Sequence, residues 1–82
     1  MSVAYTDKAA WLQGVVGVKD AEPLLEWMMA SDEVTLDLSE CQHVHGAVLQ
    51  LLMATRESLR YRIVAWPADP HLADWLKGAL AA

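Results

Sequence analysis

Eighty-two residues allow one domain, and a chain of that length buries only about 60–65% of the surface it exposes when unfolded. The composition is 55% hydrophobic, with four tryptophans and no phenylalanine. Aromatic packing therefore rests largely on Trp11, Trp27, Trp66 and Trp75, and apolar surface is left for a partner protein. A formal net charge of −5 argues against nucleic acid, whose affinity comes from Lys and Arg neutralising phosphates.

In chain order, the N-terminal residues up to Lys8 lack the basic-then-apolar layout of a signal peptide. Nowhere does an apolar run approach the ~20 residues of a spanning helix. The expectation is a cytoplasmic protein with no direct membrane insertion. Val3-Ala4-Tyr5 and Ala9 to Val16 read as strands that pair as an antiparallel hairpin around Asp7-Lys8. Ala-Ala-Trp-Leu-Gln also suits a helix, but Gly14 and Gly17 favour strand and turn. Asp20-Ala21-Glu22-Pro23 reads as a helix start, with Asp20 as N-cap and proline in the first turn. Leu24, Leu25, Met28 and Met29 follow at helical spacing, and Ser31-Asp32-Glu33 ends the run.

Val34 to Leu38 is a short buried strand, followed by a polar loop through Cys41, His43 and His45. From Gly46 or Ala47 to about Leu59 the spacing predicts a helix, with Val48, Leu49, Leu52 and Met53 as its apolar stripe. Tyr61 to Trp66 is a further strand that Pro67 stops. Asp69-Pro70 opens the last helix, with Leu72, Trp75, Leu76, Ala79 and Leu80 on its apolar face. The fold class is α/β: a small, mostly parallel sheet with an N-terminal hairpin, covered by helices in the order β-β-α-β-α-β-α.

Residues from about Ala9 to Leu80 resemble the STAS domain, a family named for sulfate transporters and anti-sigma factor antagonists. The resemblance is carried by "VTLDLS", about eight further residues and "VLQLLMA", supported by "AWLQGVV…AEPLLEWM" and "YRIVAWPADPHLADWLKGAL". It implies a cytoplasmic, non-enzymatic regulatory module of bacterial signalling that binds protein partners: a kinase-like, receptor-associated or other signalling protein. Relatives serve in anti-sigma partner switching, chemotaxis, stressosome-like complexes and phospholipid-transport assemblies. In phospho-regulated members the turn before the helix reads Asp-Ser-Ser-Gly and its first serine is phosphorylated. Aligned on Leu38 and Leu49, this chain has His45, Gly46, Ala47 and Val48 there, so no hydroxyl remains for a phosphate switch. Typical members also continue past the third helix into another strand and helix, whereas this chain stops at Ala82. An uncovered edge or helix face, and association with itself as a homodimer or with another protein, is the expectation.

The candidate docking surface is the His43–Val48 loop with the first helical turns and the Pro67–His71 loop, because loops after parallel strands converge at one end of the sheet. His43, His45, Gly46, Val48, Gln50 and His71 are the expected partner contacts. The rival is a small metal-binding or metal-sensing protein. Cys41, His43 and His45 alternate, so in extended backbone they share one side, and His71 or Asp69 would complete the site. Against it, three ligands from one short loop converge poorly on one ion, and the spacing is unlike C-x₂₋₄-C or H-x₃₋₅-H. A Cys41 nucleophile with His43 or His45 as base lacks a Gly-rich oxyanion loop. Neither enzyme activity nor a cofactor is expected. Trp27 and Trp75 are candidate exposed anchors, while Met28, Met29 and Met53 suit core or an adaptable surface. Arg56, Arg60 and Arg62 cluster around a helix end and the next strand, either as favourable charge against the helix dipole or as a phosphate-binding patch.

Overall fold

A computed structural model describes residues 2–31, 33–56, 58 and 60–81. The elements in chain order are β1 (Val3–Tyr5), β2 (Ala9–Leu12), β3 (Gly14–Val16), α1 (Val18–Met29), β4 (Glu33–Asp37), β5 (Cys41–Val44), α2 (Gly46–Thr55), β6 (Arg60–Ala65) and α3 (Pro70–Ala81). The result is a small α/β fold with a mixed sheet and three helices. Its radius of gyration is 11.3 Å, against about 11.7 Å for a compact chain of this length. Among the described residues no helix is long and apolar enough to cross a membrane.

The main sheet has four strands in the order β1-β2-β4-β6. β1 and β2 form the expected antiparallel hairpin, with Val3 opposite Leu12 and Tyr5 opposite Ala10. β2, β4 and β6 run parallel, as helical connections between them require. Alternation sets the faces: Val3, Ala10, Leu12, Val34 and Leu36 point inward and join one core with Leu24 and Met28 of α1, Val48 and Leu52 of α2, and Leu76 and Leu80 of α3. On the other face Ala4, Trp11, Thr35, Arg62 and Val64 are half-buried or exposed. The helices thus cover one side of the sheet.

The expected strand from Ala9 to Val16 is broken in two. Gly14 takes φ +62°, a region other L-residues rarely enter, and turns the chain out of the main sheet. β3 then pairs parallel with β5 as a separate two-stranded ribbon. β5 itself replaces the expected loop: Cys41 to Val44 is a strand, with Gly14 N–H donating to Glu40 O at 2.9 Å and His45 N–H to Val16 O at 2.8 Å.

The helix boundaries also shift. α1 starts at Val18 with Gly17 as N-cap, not at Asp20. Asp20 lies three residues into the helix, where its Oδ2 accepts from Gly17 N–H at 2.9 Å and its own N–H donates to Gly17 O at 3.0 Å. This reciprocal pair satisfies donors that a helix start otherwise leaves open. Pro23 consequently sits inside the helix instead of its first turn. α1 ends at Met29, just before the expected stop at Ser31-Asp32-Glu33, of which Asp32 lies outside the described residues. α2 ends at Thr55, short of the expected end at Leu59, a residue also outside those described. Thr55 Oγ1 donates back to Leu51 O at 2.8 Å. In its stripe Met53 is 44% exposed, and Leu51 packs on the core in its place.

Candidate functional site

The turn entering α2 stands on the β3–β5 ribbon at the carboxyl ends of the parallel strands. Upstream of the ribbon, Asp37 at the end of β4 folds back on Ser39: its Oδ1 accepts from the Ser39 N–H at 2.9 Å and hydroxyl at 2.7 Å. The Ser39 hydroxyl is therefore committed to a local turn. The next residues climb the ribbon to His45, whose backbone is extended (φ −63°, ψ 145°). Its Nδ1 accepts from Ala47 N–H at 3.0 Å, while its carbonyl accepts from Val48 and Leu49 N–H groups. His45 is thus the N-cap of α2.

The expected alternation of Cys41, His43 and His45 is corrected by a bulge. The β3–β5 register runs Gly14 opposite Cys41, then Val15 opposite His43, so Gln42 is an extra residue on β5. Such an insertion offsets the side chains beyond it. Cys41 accordingly turns into the core, 4% exposed, while His43 and His45 face solvent. Its Sγ–H donates to His43 O at 3.5 Å, and burial pushes the thiol above its ordinary pKa. A buried, protonated thiol is a poor nucleophile and a poor metal ligand. Among the described residues no three His, Cys, Asp or Glu side chains are grouped so as to hold a metal ion. Cys41, His43, His45 and His71 are therefore not assembled as one ligand set.

Of the expected contacts, His43, His45, Gly46 and Gln50 are exposed at this turn. Val48 is not available: it is fully buried against the core and belongs to packing. His71 is exposed in the first turn of α3, its N–H donating to Asp69 Oδ1 at 2.9 Å, so Asp69 caps that helix. Val15 was not anticipated. It is 60% exposed and directly opposite His43, with Val18 also exposed at the start of α1. Alternation from the buried Val16 already points Val15 outward.

The tryptophan expectation divides. Trp27 is no free anchor: its Nε1–H donates to Thr6 O at 2.9 Å and its ring packs on Tyr5 with centroids 5.3 Å apart. Trp75 and Met29 are exposed, and Met28 is core. No family model matches the chain, and neither a curated protein nor a solved structure matches it.

Proposed function

We propose that this chain is a STAS-like, non-enzymatic protein-interaction module of bacterial signalling, working in the cytoplasm. Its partner docks on the turn that enters α2. The observation supporting this reading is the group of exposed residues His43, His45, Gly46 and Gln50, held at the carboxyl ends of the parallel strands by a paired ribbon. Binding sites in α/β folds collect at that end. Val15 beside His43 gives the surface an apolar element, which interfaces use at their centre. No hydroxyl stands in the turn from His45 to Val48, and Ser39 is engaged by Asp37. Binding is then constitutive or governed by the partner's own state.

The test exploits the cap. Aspartate is as good an N-cap as the residue it would replace, so His45→Asp changes the charge of the surface while keeping the helix start. Combined with Gln50→Arg, it is expected to reduce capture of the cellular partner by about tenfold or more, on the scale of losing a central contact. Far-UV circular dichroism should match the parent. Unchanged capture by the folded double variant would refute the surface.

A further inference from the structure

β6 is the longest strand among the described residues, six residues from Arg60 to Ala65, yet it stands at an edge and pairs with β4 alone. None of its residues is buried; exposed and half-buried positions simply alternate. An edge strand presents a row of unpaired N–H and C=O groups, and folds usually keep such edges short or covered. The opposite edge does so, since β1 has three residues.

The positive charge of the molecule is concentrated around this strand. A groove of about 720 Å³ crosses the amino ends of β2, β4 and β6 and is lined by Lys8, Arg56, Arg60 and Arg62, with Glu33 as the acidic residue in its wall among the described residues. A second groove of about 410 Å³ lies between β6 and α3, where Arg56 and Lys77 flank Ile63, Trp66 and Leu80. Five of the six basic residues of a chain with net charge −5 therefore border β6, Lys19 being the other. Arg60 reaches Glu33 at 3.4 Å, but both side chains are more than 70% exposed, so that pair exchanges at little cost.

The alternation dictates what would fit. Arg60 and Arg62 project from the open face of the sheet, while Tyr61 and Ile63 face the helices, beside the groove of Trp66 and Leu80. A strand added to β6 would set every second side chain next to the arginines and the intervening ones over the apolar groove. A second copy of β6 fits badly, because antiparallel self-pairing gathers the arginines of both copies along one seam. We propose that the β6 edge captures an extended segment of another protein, alternating acidic and apolar residues, as a fifth strand of the sheet. Main-chain hydrogen bonds supply affinity, and the arginines and the groove supply selection.

Fluorescence anisotropy with three synthetic peptides tests this: one alternating glutamate and valine, one of the same composition with the glutamates in a block, and the alternating one N-methylated at every second amide. The alternating peptide is expected to bind about tenfold or more tightly than either of the others, the latter because methylation removes ladder donors. Arg60→Glu with Arg62→Glu should abolish that preference, and amide shifts on binding should centre on residues 60–66. Equal binding of all three peptides would reduce the surface to plain charge attraction and overturn the proposal. So would absence of binding, or light scattering showing the edge occupied by a second copy. His45→Asp leaves this binding unchanged, which separates it from the docking surface at α2.

Discussion

Gly14 carries a single-residue decision. Its φ of +62° costs an ordinary L-residue about 1–2 kcal/mol, and a Cβ built there would meet no atom within 4 Å. Gly14→Ala is therefore expected to destabilise the fold by about 1 kcal/mol through backbone strain alone. The urea midpoint should fall with an unchanged slope; an unaltered midpoint would show that the left-handed turn is not retained. The glycine was visible in the sequence as a break, but its consequence was not. Nothing in Gly14-Val15-Val16 says that these residues leave one sheet to join another. Likewise, the Cys41-x-His43 spacing reads as one-sided until the bulge at Gln42 offsets it, and a bulge is a property of the pairing, not of either strand.

α1 carries the clearest conflict between local preference and fold. Pro23 has no N–H to donate to the carbonyl of Lys19, and its ring crowds that carbonyl, a loss of about 3 kcal/mol in a regular helix. Some of this is offset because proline also restricts the unfolded chain. Pro23 is exposed, so Pro23→Ala should stabilise the protein by about 2 kcal/mol, measured by chemical denaturation; a loss of stability would mean that the ring packs usefully. The sequence suggested proline in a first turn because Asp20 resembled a cap. Gly17 takes that role, since Asp20 bonds back to it from the third helical position. Elements with strong periodicity or punctuation were legible: the hairpin, β4, β6 and α3 with its Asp-Pro start. β5 was not, because only Cys41 and Val44 of its four residues face inward and the rest read as polar loop.

Across the whole molecule, three proton-releasing groups on separate elements are shielded from water, Cys41 buried and Tyr5 and Tyr61 half-buried. Burial pushes up Cys41 on β5, Tyr5 on β1 and Tyr61 on β6, with the Asp20 charge adding to the effect at Tyr5 and Arg56 opposing it at Tyr61. Each neutral form is held more tightly in the folded state, so the unfolded chain releases these protons first as pH rises. Their contribution is complete below about pH 9 and is lost on going more alkaline, first in the thiol range and then in the phenol range. Denaturation midpoints should fall from about pH 9 upward, and Cys41→Ala should flatten the first part of that fall. A midpoint that stayed level to about pH 11 would contradict the shielding of all three. At this scale the α/β class and parallel core were legible from the order of elements. The concentration of five basic residues around one edge was not, because Lys8 and Lys77 are distant from the arginines in sequence.

The ribbon has a thermodynamic corollary. Ordering a loop when a partner arrives costs about 1–2 kcal/mol for each residue fixed. Cys41 to Val44 is already paired with β3, and His45 is tied to both Val16 and the start of α2. A partner meeting His43 and His45 finds their backbone preorganised, so little of its contact energy is diverted into ordering that segment.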